Sequence, residues 1–211
     1  MIRKAANIPV REAEPAWEIA RLFPAQGTWS EQEYLALTHD TNWLVEFSDG
    51  RIEVLPMPKM SHQLIVQFLN NLLFAFLSSA NLGRMLFAPL RVRLRKGKYR
   101  EPDIVVMLAG HSQRMREEFW EGADLVMEVV SDEAEDRHRD LVTKRNEYAE
   151  AGIPEYWIID PLEQRITVLK LKGAKYAIAG EYSEDQFAKS LILPKFSVQV
   201  SKVFAAGAGE S

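Results

Sequence analysis

Two acids occupy positions that folding alone does not call for. Leu125, Val126, Met127, Val129 and Val130 form a near-continuous apolar run, the mark of a strand buried on both faces, and Glu128 stands in the middle of it. An ionised carboxylate there is costly unless it is paired, protonated or bound to a metal. Asp103 lies in a second apolar run, EPDIVVM at 101–107. Each acid taken singly also fits an ordinary structural ion pair with an arginine. Two acids converging from strands of one sheet make a hard oxygen site suited to Mg²⁺ or Mn²⁺. Such a site supports metal-assisted hydrolysis, by activating water and stabilising charge on a phosphoryl oxygen.

A cation joins them from a helix. Asp140, Lys144, Tyr148 and Ala151 fall at helical spacing, and Gly152 with Pro154 marks that helix's end. Lys144 could be no more than an exposed i,i+4 partner of Asp140. However, Leu141, Lys144 and Tyr148 share one stripe, which should face the sheet. A lysine so placed is partly desolvated and can orient a water or stabilise a pentavalent phosphate.

The other candidates are weaker. Arg84, Arg91, Arg93, Arg95, Lys96, Lys98 and Arg100 form a basic run leading directly into Asp103. A charge run is usually a solvated strand face, but this one would flank the acids where a phosphate backbone needs positive charge. His39, His62, His111 and His138 lack zinc-ligand spacing, and only His62, opening a long helix, is kept as a secondary candidate. There is no cysteine, no G-x-S-x-G elbow and no phosphate-loop glycine pattern, so nucleophilic alternatives fail. A metal-free pair of carboxylates acting on a glycoside would need open access to both acids, which their apolar neighbours disfavour.

The elements that must position these groups follow from local patterning. Ser30 and Glu33 match a capping box opening a short helix to about Leu37. Trp43–Phe47 and Arg51–Leu55 read as a hairpin about Ser48-Asp49-Gly50. Ser61 is the expected N-cap of a helix from about His62 to Ala80, apolar on more than one stripe and therefore central. Residues 84–95 read as one strand and 100–107 as another, with Pro102 at its start. A helical turn is expected near 115–120, and strands follow at Tyr156–Ile159, Gln164–Leu171, Tyr176–Ile178 and Phe196–Val200. This order predicts a mixed α/β (α+β) sheet flanked by helices, with further β-strands at both ends.

Composition bounds the reading. At 211 residues, 47% hydrophobic and 27% charged, the chain suits one globular domain. The expected boundaries are an N-terminal arm at 1–29, a single domain at 30–204 and a disordered tail at 205–211. Twenty-six Lys and Arg against 30 Asp and Glu give no global argument for nucleic-acid binding. The lack of cysteine suits a reducing cytoplasm, and the N-terminus has no apolar segment of a secretory signal. The apolar stretch within 64–77 is broken by Gln67, Asn70 and Asn71, and reads as too short for a membrane span.

Several of these segments resemble one family. EPDIVVM at 101–107, DLVMEVVSD at 124–132, D-x-x-x-K-x-x-x-Y at 140–148, AGIPEYWIIDP at 151–161 and LPKFSVQVSKVF at 193–204 are similar to the Uma2 family, also called DUF820. That family belongs to the PD-(D/E)XK nucleases, with a restriction-endonuclease-like fold. The similarity runs from about Ser30 to Phe204 and includes EFSDGRIEV and PMPKMSHQ. It implies an endonuclease hydrolysing DNA phosphodiesters with Mg²⁺ or Mn²⁺. Asp103 and Glu128 would be metal ligands, with the Val129 carbonyl a third and Lys144 beside the scissile phosphate. The superfamily's lysine normally sits two residues past Glu128, where this chain has Val130, and its function is expected to have moved to Lys144. Glu46, Asp140 and Tyr148 match further shared positions. No acid occurs between His62 and Ala80, so Glu46, Glu53 or His62 would replace the superfamily's first-helix acid. Arg91, Arg93, Arg95 and Lys98 are the expected DNA contacts, and a homodimer is the arrangement that cutting both strands would favour. The rival expectation is a degenerate nuclease fold that binds nucleic acid or a protein partner without cutting.

Overall fold

The structure, a computed structural model, describes residues 23–39 and 43–209. Most of the expected N-terminal arm lies outside them, but its end is packed. Trp29 is buried with Tyr34, Val45, Phe47 and Tyr99 in a small core of its own. The capping box forms: the Glu33 amide donates to Ser30 Oγ, and Ser30 N–H and Oγ–H donate to Glu33. It opens α1 (Glu31–His39).

Two sheets are joined end to end. The first, in the order β2-β1-β5-β4-β7, contains β1 (Val45–Ser48), β2 (Arg51–Val54), β4 (Val92–Arg95), β5 (Lys98–Arg100) and β7 (Trp120–Glu121). The β1–β2 turn places Asp49 and Gly50 at φ 49° and 82°, the positive pair that a two-residue hairpin requires. The second sheet runs β11-β10-β9-β8-β6-β3. Its strands are β3 (Gly83–Phe87), β6 (Ile104–Leu108), β8 (Leu125–Val129), β9 (Glu155–Asp160), β10 (Arg165–Lys172) and β11 (Lys175–Ser183). Within it only β8 and β9 pair in parallel, which requires a crossover between them. A small ladder of β12 (Phe187–Lys189) and β13 (Ser197–Gln199) completes the β structure.

Alternation along the second sheet sorts side chains between two cores. Ile104, Val106, Leu125, Met127, Val129, Trp157 and Ile159 face α2 (Met60–Ala80) and the C-terminal α4 (Val200–Gly207). Val105, Met107, Val126, Val130, Tyr156 and Ile158 face the crossover helix, α3 (residues 134–150). Glu128 shares parity with Val126 and Val130 and therefore points at α3. This helix runs through Ala134–His138, a wider turn at Arg139–Thr143, and Lys144–Glu150. At the wider turn the Lys144 N–H reaches back five residues to the Arg139 carbonyl, the bond of a π-bulge, a feature frequent at functional sites.

The structure differs from the sequence reading in several places. Residues 84–95 form two strands in different sheets, divided at Ala88-Pro89. Residues 100–107 are likewise divided, so Pro102 lies in the joint between sheets and not at a strand start. Lys59, not Ser61, is the N-cap of α2, and no side chain caps it. The helical turn falls at Ala109–Arg114, whereas Trp120 enters β7. Helix α4 extends past the expected start of the tail at 205, because Val203 and Phe204 anchor it to the core. By length and composition alone α2 would also pass as a membrane span, contrary to the shorter apolar stretch read above. Its Ile65, Leu69, Leu73 and Leu77 are buried against the sheet.

Candidate active site

The joint between the sheets is where the acids meet. Ile104 pairs with Met127 across β6 and β8, so continuing the register sets Asp103 opposite Glu128. Directly opposed residues hold their Cβ atoms about 5 Å apart. Asp103 lies just outside the ladder and takes over its bonding: Val129 N–H donates to Asp103 Oδ2 at 2.7 Å. His62 Nε2, from the first turn of α2, lies 3.1 Å from the same oxygen. The Asp103 side chain keeps 17% exposure and His62 15%, so this is the open side of the cluster. Burial pulls the His62 pKa down, but the hydrogen bond and charge of Asp103 outweigh it and leave it raised.

Deeper in, Lys144 faces three carboxylates. Its Nζ lies 3.0 Å from Glu128, 3.1 Å from Asp140 and 3.8 Å from Glu46, and all four side chains are at most 4% exposed. Burial alone would pull the ammonium pKa down, but these acids overcome it and push it up, favouring the charged form of Lys144. Tyr148, one turn on, donates its hydroxyl to Glu128 at 2.5 Å. Burial, against the opposing pull of Lys144 and with the added repulsion of Asp103 and Asp140, pushes Glu128 up to about 8. Asp140 is raised for the same leading reason, and its buried Oδ1 is the oxygen that Lys144 Nζ meets at 3.1 Å. The structure thus gathers Asp103, Glu128, Lys144, His62, Asp140, Tyr148 and Glu46 into one cluster. Glu53 stays at its rim, where Arg139 reaches it at 3.2 Å.

The strand cations Arg91, Arg93, Arg95 and Lys98 each meet a partner within the molecule. Arg91 donates to Thr38 at 2.8 Å and Arg93 lies 3.4 Å from Glu121. Arg95 makes a bidentate pair with Asp49 at 2.8 and 2.7 Å, and Lys98 meets Glu147 at 2.7 Å. Even with these partners, the Arg93 and Arg95 side chains stay 34% and 50% exposed. Arg100, which the sequence placed only in that run, is buried and bonds both Glu147 and Glu46.

The donor set fits a hard divalent cation. Burial is the leading cause that raises both Glu128 and Asp140, and the charge of Asp103 adds to it, so a cation bound here would displace their protons. Among the described residues no three His, Asp or Glu side chains form a ready-made cage. A two-carboxylate site suits Mg²⁺, which keeps several waters and takes further oxygens from a phosphate.

The mixed sheets and the crossover helix define an α/β protein that gathers its acids at the joint between the sheets. A crystal structure described as "a putative nuclease belonging to DUF820", from Anabaena variabilis ATCC 29413, superposes with a TM-score of 0.70 at 19% identity. The match covers 85% of this chain and 99% of that one, and shows a shared fold. The family Uma2, described as "Putative restriction endonuclease", matches residues 31–201. The chain belongs to the Uma2 family. None of the curated proteins compared with it matches.

Proposed function

We propose that the protein is a metal-dependent nuclease that hydrolyses phosphodiester bonds of DNA. The observation carrying this reading is the placement of Lys144 3.0 Å from Glu128, on the same side of the sheet joint as Asp103. The family description and the nuclease named in the structural match point the same way. Asp103 and Glu128 would hold Mg²⁺ or Mn²⁺, with the carbonyl of Val129 as a third donor. The bound ion would supply an acidified water and charge stabilisation at the phosphoryl oxygen.

The chain's own residues supply the rest. Lys144, whose charged form the surrounding acids favour, can stabilise the negative charge that develops on the phosphate. The Val129 amide and His62 fix the Asp103 carboxylate from two sides, and Tyr148 fixes Glu128 from a third direction. His62, on the exposed side, is placed to meet the substrate first. The test is cleavage of plasmid and linear DNA in Mg²⁺ or Mn²⁺ by the purified protein, with Asp103→Ala and Lys144→Ala beside it. Cleavage by the parent and at least a 100-fold loss in both variants is expected. Equal trace cleavage by all three removes the assignment.

A non-cutting, nucleic-acid-binding role is the second reading. The internal pairing of Arg91, Arg93, Arg95 and Lys98 bears on both readings alike, and what favours cutting is the gathering of Asp103, Glu128 and Lys144, which binding alone does not need.

A further inference from the structure

Glu46 stands between two cations and is held by only one of them. Arg100 Nη1 donates to its Oε2 at 2.8 Å, while Lys144 Nζ stays 3.8 Å from its Oε1. The Glu101 amide also donates to that Oε1, at 3.3 Å. Lys144 meanwhile keeps 3.0 and 3.1 Å contacts to Glu128 and Asp140. Coulomb attraction falls as the inverse of distance, so 3.8 Å against 3.0 Å weakens the pull of Glu46 by only about a fifth. Distance alone does not decide which acid Lys144 follows. The difference lies in how each acid is already bonded. Glu46 has its charge answered by a buried guanidinium, whereas Glu128 has only the neutral Tyr148 hydroxyl besides Lys144.

We propose that Arg100 is a positioning residue for Lys144. By holding Glu46, it keeps the ammonium on Glu128 and Asp140, inward of the open side at Asp103 and His62. This rests on the nuclease reading for its functional meaning, but the placement itself does not. The arginine also ties β5 to α3, through Nε and Nη2 donating to Glu147 at 2.7 and 2.8 Å. The two jobs use different nitrogens and are therefore separable. An arginine fork can serve both at once; a lysine offers a single ammonium.

The test compares Arg100→Met, Glu147→Gln and the double variant Glu46→Gln/Arg100→Met. In Arg100→Met the freed Glu46 carboxylate draws Lys144 away, and kcat falls about 10- to 100-fold with KM little changed, the cost of a misplacement near 1 Å. Removing the freed charge in the double variant returns at least tenfold of that kcat. Glu147→Gln lowers the melting temperature but leaves kcat within about twofold. A merely structural Arg100 predicts instead that the double variant is no better than Arg100→Met and that Glu147→Gln loses activity in step with stability; either result overturns the proposal. Crystal structures of the parent and Arg100→Met read the position directly. Lys144 Nζ should lie closer to Glu46 than to Glu128 in the variant, and an unmoved ammonium refutes the inference whether or not the parent cuts DNA. A parent that cuts no DNA counts against the nuclease reading alone. Should Arg100→Met fail to fold, Arg100→Gln removes the charge while keeping a polar side chain and is subject to the same distance criterion.

Discussion

Glu101→Gln isolates the electrostatics of the sheet joint in one atom-for-atom change. Glu101 lies between Arg100 and Pro102, is 4% exposed, and accepts the Val45 N–H at 3.2 Å. Burial first, and the nearby Glu46 second, push its carboxyl from the ordinary 4.5 up to about 8. A raised acid favours the folded state only while protonated. Its contribution is present in full below pH 4.5 and is lost as pH rises through about 8. Glutamine resembles the protonated acid, can accept the same amide and does not titrate. Between those limits each pH unit is worth about 1.4 kcal/mol, so from pH 5 to pH 7 the variant should gain about 3 kcal/mol on the parent. Urea unfolding at pH 5, 6, 7 and 9, free of divalent ions, measures the gap. It should widen steadily to pH 7 and level off above about 8. Unfolding curves that stay parallel across this range would show that Glu101 is not held in a charge-averse environment.

Lys144→Met leaves three buried acids facing one another and should cost about 3–5 kcal/mol near neutral pH, read by denaturant unfolding. A loss below about 1 kcal/mol would mean the acids are already neutral without it. Leu73→Ala, at a fully buried position of α2, should cost about 2–5 kcal/mol in the same assay, with the spread set by how far the core closes on the cavity. Asp49→Asn breaks the bidentate pair with Arg95, but both side chains are half exposed. The expected change in stability is below about 1 kcal/mol and should shrink further in high salt.

What the sequence made legible was local. Glu128 stood out because a strand buried on both faces leaves an acid no solvent, and alternation then decided which face it takes. Lys144 and Tyr148 stood out because i,i+4 spacing put them on the apolar stripe of their helix, and both reach Glu128. The capping box and the Asp49-Gly50 turn were readable for the same reason, since their partners are three residues away or fewer. What lay hidden was long-range. Arg95 finds Asp49 46 residues away, Lys98 finds Glu147 at a separation of 49, and Arg100 finds Glu46 at 54. A run of cations reads as a solvated face until those partners are known. The breaks at Ala88-Pro89 and at 101–103 were missed because β-favouring residues continue on both sides. The signal for Arg100 was present in its parity: the register that pairs Phe47 with Tyr99, continued by one residue, sets Arg100 opposite Glu46.

The central claim is that Asp103 and Glu128 together hold a divalent cation. Calorimetric titration of Mn²⁺ into the parent protein and into Asp103→Ala and Glu128→Ala, near pH 8 where Glu128 can give up its proton, tests it most directly. The account predicts saturable binding by the parent that either substitution abolishes. Binding of the same affinity and stoichiometry in all three proteins would contradict it.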